Sequence, residues 1–489
     1  MSSVCCSSPE WGTTTPQRAG SRDQACPQGS IAGGSRMGNL LASLRTAANS
    51  LRTFEKVLST IQNNVVNART PGYARQELDI VALRFDPTQG LSGGIRSAGL
   101  VSSRDPFTDR LVRRQLEQVG YLEQMLAGRT QIEAVFEIGE QAGLPEALNR
   151  LFRAFSALVV APNDIPTRQV VIERAKAVTE QFRYMASQID QIGIDSSRRV
   201  RDVITEINSW AREIARLNTQ FRQSFHARED AGVEAQLHTA LERLAELVDI
   251  VALQQPDGTW QVFAGGEVPL VLGDTAYPLS ATLAGAEVQI LDWEGHVVTN
   301  KLRQGKLGAL LELHNRVLPQ YRQQLDEFAQ AFADRINAQQ LAGLDFYGNP
   351  ATQPLFEYDA GSGVARSLRV STISAEQLAA AAVNQPGGNG NAVALAALAT
   401  SEEIHGYSFT EYYGELAARA GRDLAQLRTQ HERQQMLLAQ AREFQQEVSG
   451  VDLNVEAAAL MDYQRAYEAT ARLLRVLNEL SAVVLRILD

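Results

Sequence analysis

Cysteine is scarce in this chain of 489 residues, and its three copies, Cys5, Cys6 and Cys26, all precede residue 37. The rest of the chain therefore has no disulfide scaffold, no thiolate metal site and no cysteine nucleophile. Long apolar runs are also missing, since the longest spans residues 392–399. A membrane-spanning helix needs roughly 18 or more apolar residues, so we expect no membrane insertion.

Positive charge is in deficit, with 46 Lys and Arg against 56 Asp and Glu and a net charge of −10. Binding to phosphates needs a positive field, so this balance argues against nucleic acid as a main partner. Apolar residues make up 44% of the chain. That fraction is enough for several hydrophobic cores, and two to four domains are expected at this length.

The signatures of catalysis and cofactor binding are missing as well. The chain has no phosphate-binding G-x-x-x-x-G-K-[ST], no credible dinucleotide fingerprint, no H-E-x-x-H and no G-x-S-x-G. No two of its six histidines have zinc-ligand spacing, and we interpret them as surface or helix-face residues: His226, His238, His296, His314, His405 and His431. We predict that the chain is not an enzyme and has no catalytic residues, cofactor or metal site.

The first 36 residues differ from the rest. They are rich in Ser, Gly, Thr, Pro and Gln and have no periodicity, which predicts a disordered extension. They lack the apolar stretch of a secretory signal. Periodicity begins directly after Met37, so we interpret Met37 as the true first residue, with a genuine disordered tail as the alternative.

Heptad repeats occupy both ends of the chain. The N-terminal segment, with a predicted helix at 40–66, carries two apolar rows at 3-4 spacing, Leu44, Leu51, Leu58 and Val65 with Leu40, Ala47, Phe54, Ile61 and Ala68. The C-terminal segment has the rows Leu453, Leu460, Tyr467, Leu474, Ser481 and Leu488 with Tyr463, Thr470, Leu477 and Val484. Each set predicts a helix with one narrow apolar seam. Asp452 stands where an N-cap is expected.

An apolar seam on an isolated helix is unstable in water, so the two terminal helices are expected to pack on each other or on other copies of the chain. Periodicity alone leaves both possibilities open. One is an ordinary intramolecular helix pair that closes a globule. The other is a pair of assembly elements that become ordered only in a polymer.

Between the ends, the pattern predicts a mainly α protein with a small β domain inserted mid-chain and an elongated helical bundle around it. Extended structure is expected at 74–103, a helix from about residue 107, and further helices at 166–190, 197–224, 233–248, 306–341 and 408–447. Strands are expected at 250–253, 259–263, 267–272, 276–283, 287–293 and 296–299. A short strand pair is expected around Phe356 and 368–370.

These patterns divide the chain into domains. The predicted ranges are a disordered extension at 1–36; a terminal coiled-coil domain at 37–75 and 450–489; a helical bundle with β-hairpin segments at 76–250, 305–345 and 400–449; a β domain at 251–304; and a mixed loop and short-strand connector at 346–399.

Residues 61–76, with the sequence IQNNVVNARTPGYARQ, closely resemble the N-terminal signature of bacterial flagellar axial proteins, the family of rod, hook and hook-associated proteins. Residues 449–458, SGVDLNVEAA, and 463–469, YQRAYEA, are similar to hook-associated members. Residues 104–107, 236–248 and 305–311 also match. There are two departures: 345–400 is too short for the additional β-rich domain of larger relatives, and 236–243 lacks the Asp-Gln-Arg-Asp pattern of the family.

The resemblance implies a structural subunit at the junction between hook and filament, which polymerises through its terminal helices as the inner tube of the axial structure. It implies extracellular location in the flagellum, after type III export without a cleaved signal. The implied partners are further copies of the chain in a homopolymeric ring, the hook protein, a second junction protein, and an export chaperone that covers the C-terminal helix.

The predicted assembly interface combines the two seams with the Asn-rich turn between them. Its residues are Leu44, Leu51, Phe54, Leu58, Ile61, Asn63, Asn64, Asn67, Thr70, Pro71, Gly72, Tyr73, Leu453, Leu460, Tyr463, Tyr467, Leu474, Leu477 and Val484. Two alternatives remain at this point. The nearer is another axial protein, either a hook or a rod subunit. The more distant is a cytoplasmic coiled-coil adaptor or enzyme.

Overall fold

The computed structural model describes residues 34–86, 91–136, 143–223 and 230–488. Residues 1–33, most of the predicted N-terminal extension, lie outside this set. The described chain is mainly helical with small antiparallel sheets, which confirms the predicted fold class. None of the described helices is both long enough and apolar enough to cross a membrane.

Two long helices lie at the ends of the described chain. The first, α1, spans Gly34–Asn67. It begins ahead of the predicted helix at 40–66, and its first turn includes residues 34–36. The last helix spans Leu453–Leu488. The predicted cap is present at its start, because the Asp452 carboxylate accepts the backbone N–H of Asn454 at 2.8 Å.

The segment after α1 is extended, as the alternation of apolar and polar residues predicts. Its strands are β1 (Gln76–Ala82), β2 (Phe85–Asp86), β3 (Leu91–Ser92) and β4 (Ile95–Ser102). The outer strands β1 and β4 pair with each other, and β2 pairs with β3.

Helices dominate the next 150 residues. They are α2 (Pro106–Val135), α3 (Leu144–Val160), α4 (Ile165–Gln223) and α5 (Ala231–Leu247). The periodicity predicts two helices over 166–190 and 197–224, but α4 is a single helix of 59 residues. Its apolar face continues through Ile192 and Val200, so no break is needed. The sequence analysis missed α3, although its residues 144–160 form a strongly amphipathic segment.

The mid-chain β insertion is present and contains two sheets. Strands β5 (Ile250–Gln254), β6 (Trp260–Ala264), β7 (Val268–Leu272) and β8 (Thr275–Ala276) form a four-stranded antiparallel sheet in sequential order, and β9 (Ser280–Ala284) pairs with β10 (Glu287–Leu291). Two strand predictions were wrong. The range 276–283 is divided between β8 and β9, and 296–299 forms only an isolated bridge at Val297 before a 3₁₀ turn.

The predicted helix over 306–341 is present with a local change of winding. A short α-helix, α6 (Gly305–Glu312), passes through a π-helical turn at Leu313–Val317 into α7 (Leu318–Leu341). Pro319 follows the π turn. Because proline has no N–H to donate, the α-helical hydrogen-bond ladder cannot continue unchanged across this point.

The connector after α7 contains short strand pairs and short helices. Strands β11 (Gly343–Leu344) and β12 (Phe356–Glu357) pair with β14 (Ala381–Ala382) and β13 (Arg369–Val370), respectively. The second pairing matches the predicted short strand pair. Between the strands lies α8 (Val364–Ser367), and α9 (Gly390–Ala397) follows them. The sequence analysis did not predict either helix.

The last two helices are α10 (Phe409–Ser449) and α11 (Leu453–Leu488). A capping box starts α10, because Ser408 and Glu411 bond each other's backbone N–H groups. Gly450 ends it.

The chain divides into two compact units. Of the described residues, one unit contains those within 34–56, 80–98 and 463–488, and the other contains those within 57–79 and 99–462. The second unit has two large hydrophobic clusters. The first joins α3, the first half of α4, α7 and the connector, and the second joins the rest of α4, α5 and the β insertion.

Candidate functional site

In the unit that contains both chain ends, the terminal helices are in contact along the predicted seam. The ring of Phe54 on α1 packs against that of Tyr463 on α11, with centroids 6.1 Å apart. The Tyr467 hydroxyl donates to the Glu55 carboxylate at 3.1 Å, and this hydrogen bond raises the pKa of Tyr467. A single copy of the chain therefore covers part of its own seam.

The predicted interface residues differ in how far they are covered. Ile61 and Asn64 are buried, whereas Asn63, Thr70, Pro71 and Leu453 are exposed. The others are half-buried: Leu44, Leu51, Phe54, Leu58, Asn67, Gly72, Tyr73, Leu460, Tyr463, Tyr467, Leu474, Leu477 and Val484. The sequence-predicted set therefore combines residues that the chain already covers with residues that face solvent.

A second apolar row on α11 is more exposed than the predicted seam. Leu473, Val476, Leu480 and Val483 follow one another at 3-4-3 spacing, and each is 49–53% exposed. We call these four residues the outer row. The sequence patterns did not lead to a prediction of this row, although it runs directly beside the predicted seam. Leu473, Val476 and Val483 each come one residue before a predicted interface residue, and Leu480 comes one residue before Ser481 of the predicted heptad row. The outer row is an apolar helix face that the single chain leaves about half exposed, which is typical of an interaction surface.

Asn64 is the centre of a buried polar site where the end of α1 meets β1 and the start of α11. Its amide nitrogen donates to the Gln76 carbonyl at 2.8 Å and to Glu456 at 3.2 Å. Its amide oxygen accepts the Gln76 backbone N–H at 3.0 Å and the Tyr73 hydroxyl at 2.8 Å. Four hydrogen bonds satisfy the side chain, which is only 1% exposed. Sequence reasoning had assigned Asn64 to the assembly interface, and the structure places it inside the chain.

Glu456 supplies the negative charge of this site and was missed as a functional residue. Its carboxylate is fully buried and accepts the Arg75 Nε–H at 2.6 Å. This hydrogen bond raises the pKa of Arg75. Burial, with the charges of Glu456 and Glu234, raises the pKa of Tyr73 to about 12. The tyrosine therefore stays a neutral donor to Asn64 over the whole physiological pH range.

The turn after α1 is held by a second group of charges. The Arg104 guanidinium donates to the Gly72 carbonyl, to Glu234 at 2.9 Å and to Asp109 at 3.2 Å. Gly72 has φ +72°, and a Cβ there would lie 2.4 Å from the Ala235 carbonyl oxygen. The turn therefore requires glycine both for its left-handed backbone and for its close approach to α5.

Asp109 and His238 form a buried pair beside Arg104. His238 lies on a helix face, one of the two predicted settings, but on the buried face of α5. The His238 Nδ1 lies 3.1 Å from the Asp109 carboxylate, and Gln445 donates to the same carboxylate at 2.7 Å. Burial lowers the pKa of His238, so the ring is neutral at neutral pH. Burial acts to raise the pKa of Asp109, but hydrogen bonding by His238 and the nearby positive charges lower it below its ordinary range.

The exposed rim of the turn has its own hydrogen bonds. Asn67 donates to the side chain of Asn63 at 2.9 Å, and the Thr70 hydroxyl donates to Asn67 at 3.1 Å. Asn63 also donates to the Tyr73 hydroxyl at 3.3 Å. These side chains stabilise the end of α1 from the solvent side.

One group of side chains in the described chain is close enough to share a metal ion. Asp292, Glu294 and His296 offer ligand atoms that lie within 4.8 Å of one another. The group lies in the partly exposed loop after β10, and Asp292 already accepts the backbone N–H groups of Glu294 and His296. Exposed acidic groups of this kind are common without a metal, and the loop carries no argument for function here.

Two family models match the chain. The first, "Flagellar hook-associated protein FlgK helical domain", matches residues 129–356. The second, "Flagellar basal body rod FlgEFG protein C-terminal", matches residues 445–487, which include α11. The chain is also 25% identical over 488 residues to flagellar hook-associated protein 1 of Bacillus subtilis, a match that covers 89% of this chain and 96% of that relative.

The chain is thus similar to flagellar hook-associated protein 1 over most of its length, and residues 129–356 match the helical domain of that family. This confirms the family that the sequence signature indicated. The matching protein of Salmonella typhimurium is 28% identical over 323 residues, which cover 62% of this chain and 57% of that relative. The matching region is thus a smaller part of the Salmonella relative than of the Bacillus one.

Among solved structures, the fold is similar to that of "the flagellar hook junction protein FlgK from Burkholderia pseudomallei". The TM-score is 0.62, the sequence identity is 16%, and the match covers 69% of this chain and 99% of that one. At this identity the likeness concerns the fold.

Proposed function

We propose that the chain is a structural subunit of the bacterial flagellum that forms the junction between hook and filament, and that it polymerises through its terminal helices. The observation that carries this proposal is the outer row of α11, a continuous apolar face that is about half exposed in a chain similar to flagellar hook-associated protein 1. The exposed half of such a face does not contribute to the stability of a single chain. Between subunits, covering the remaining half of four aliphatic side chains would contribute about 3–6 kcal/mol per copy.

The structure supports two roles within the predicted assembly set. Asn64, Gly72 and Tyr73 fix the turn within the chain by hydrogen bonds and close packing. The seam residues and the outer row offer the surface on which copies pack. We propose that 37–75 and 450–489 form the inner-tube domain and that 76–250, 305–345 and 400–449 form the outer helical layer. In the same proposal, 251–304 is a surface β domain and 346–399 is a connector.

The partners follow from this role. They are further copies of the chain in a ring, the hook protein on one side and a second junction protein on the other. A helix with an open apolar face would associate prematurely in the cell, so an export chaperone that covers α11 before secretion is part of the proposal. The mature site is the extracellular flagellum, reached by type III export without a cleaved signal.

The outer row provides the most direct test of assembly. Leu473→Asp and Leu480→Asp place charges on the apolar face and are expected to abolish incorporation at the hook tip, while thermal unfolding of the purified chain stays unchanged. Leu58→Asp and Leu474→Asp on the seam are expected to abolish incorporation as well. Val160→Asp is the matched control, because Val160 is 86% exposed on α3. Normal filaments grown from the Leu473 or Leu480 variant would contradict the proposal.

The rod-protein match at residues 445–487 favours one alternative, a hook or rod subunit. Deleting the gene separates the two functions. Loss of a junction protein is expected to leave hooks intact and to release unpolymerised flagellin into the medium. Loss of a hook subunit would instead remove the hooks, and that result would replace the proposed function.

A further inference from the structure

An open cleft of about 690 Å³ lies beside the turn at residues 70–73 and is bordered by α5 and the C-terminal part of α10. Four arginines line it, Arg69, Arg104, Arg243 and Arg442, against the carboxylates of Glu242 and Glu246. The cleft is therefore positively charged in a chain with a net charge of −10. A positive concavity on an acidic protein favours a negatively charged occupant.

Two of these arginines are available to a partner. Arg104 is already bonded to Glu234, Asp109 and the Gly72 carbonyl. By contrast, Arg69 and Arg442 are exposed, and neither has an ion pair within 4 Å among the described residues.

The carboxylates of the cleft do not cancel this charge. Glu246 is paired with Lys306 at 2.6 Å and lies 3.6 Å from Arg243. Glu242 is half-buried, and burial raises its pKa, while the charge of Arg442 opposes that rise. The exposed guanidinium groups of Arg69 and Arg442 therefore supply positive charge to the open part of the cleft.

A second depression lies on another side of α10. It has a volume of about 410 Å³ and an apolar floor that includes Leu111, Leu437 and Phe444. Leu437 and Phe444 are 44% and 43% exposed. Glu443 and Glu447 line the same depression, and both are exposed without an ion pair in the described part of the chain. We call this surface the acidic groove and the first one the arginine cleft.

The two surfaces face different directions because an α-helix turns by about 100° per residue. Arg442 and Glu443 are neighbours in sequence, so they point away from each other and cannot pair within the helix. One helix thus carries a positive surface on one side and a negative, partly apolar surface on another. Head-to-tail rings and helical polymers of identical subunits require two different, complementary patches of this kind on each copy.

We propose that the arginine cleft of one copy receives the acidic groove of the next copy, so that Arg69 and Arg442 pair with Glu443 and Glu447 across the subunit boundary. Leu437 and Phe444 are covered in the same contact. The inference deepens the proposed function, on which it rests, by assigning a lateral contact outside the terminal helices. The apolar residues supply affinity, and the charges fix the orientation and exclude wrong partners.

Charge reversal tests this contact in a strain that lacks its own copy of the gene. The full chain with Arg69→Glu/Arg442→Glu, or with Glu443→Arg/Glu447→Arg, is expected to reach the hook tip at about a tenth of the wild-type level or less. The fourfold variant, which combines both reversals, is self-complementary again and is expected to return to near the wild-type level. The double variant Arg428→Glu/Arg433→Glu on α10 is the control, because it changes the net charge by the same amount as Arg69→Glu/Arg442→Glu.

The rescue separates pairing from misfolding, because a chain that misfolds after two reversals is not repaired by two more. If both double variants assemble at the wild-type level, or if the fourfold variant stays excluded, the contact does not exist. A failure of the proposed function itself looks different, since the wild-type chain would then be missing from isolated hooks as well.

A disulfide measurement gives an independent readout. The three cysteines all precede residue 37, so a full-length chain with Cys5, Cys6 and Cys26 changed to Ser leaves a cysteine-free background. Arg69→Cys with Glu447→Cys is expected to give a ladder of multiples of the 53.5 kDa chain when isolated appendages are oxidised. Either single cysteine variant is expected to give none. A double variant that assembles but forms no ladder would overturn the proposed pairing.

Discussion

Glu117→Gln is expected to stabilise the folded protein at pH 8 and to leave its stability at pH 4 unchanged. Glu117 lies on α2 and accepts the backbone N–H of Ile250 at 3.1 Å, where the β insertion begins. Burial is the main cause that raises its pKa to about 7, and the nearby Asp249 charge adds to it. Glutamine keeps the acceptor for Ile250 and removes the buried charge.

The direction of the pH dependence follows from linkage. The folded-state pKa of about 7 exceeds the ordinary value of 4.5, so between these values the folded chain binds more protons than the unfolded chain. The contribution of Glu117 to stability is therefore fully present below about pH 4.5 and is lost as the pH rises through 7. The shift of about 2.5 pKa units corresponds to a loss of about 3 kcal/mol.

The assay is urea unfolding followed by circular dichroism at several pH values between 4 and 8, with wild type and variant compared at each pH. The comparison is necessary because other groups titrate in the same window. His238, whose pKa is lowered, contributes stability that is lost as the pH falls below about 6.5, which is the opposite trend. Glu123→Gln is the control, because that side chain is 58% exposed on the same helix. A difference between Glu117→Gln and wild type that does not grow with pH would refute the reasoning.

Two further variants test the buried polar site and the turn. Gly72→Ala is expected to lower the thermal stability more than Gly258→Ala does. Both glycines have positive φ, but only Gly72 lies close to the backbone of another element. Equal losses of stability would mean that α5 moves to accept the added Cβ at little energetic cost. Asn64→Ala is expected to lower the free energy of unfolding in urea by about 2–3 kcal/mol, because it leaves the buried partners of its four hydrogen bonds unsatisfied. Asn63→Ala, at an exposed position, is the control and should lower it by less than about 1 kcal/mol. Similar losses of stability for the two variants would contradict the assigned geometry.

Local periodicity was sufficient for most of the architecture. The heptads of the terminal segments predicted α11 and all of α1 except about its first six residues, and the alternation after Ile250 predicted the first three strands of the β insertion. Side-chain spacing within one helix or strand determines these elements, so it can be read without knowledge of the fold.

Contacts between distant parts of the chain could not be predicted in this way. Asn64 and Glu456 are 392 positions apart, and Asp109 pairs with His238 across two helices. No local pattern distinguishes such residues from exposed polar ones. The outer row was missed for a related reason. Two adjacent apolar rows on α11 fit a heptad, and periodicity does not say which row the chain covers itself.

The distinction between covered and open residues separates two ways in which assembly can fail. A change at Asn64 or Gly72 acts inside the chain, so any loss of incorporation should accompany lower thermal stability and faster proteolysis near residues 70–76. A change at Leu480 acts mainly on the surface, because about half of that side chain already faces solvent. Incorporation lost without loss of stability therefore identifies a surface used between copies. Measuring both quantities for every variant sorts the predicted interface residues into those that shape the subunit and those that join it to its neighbours.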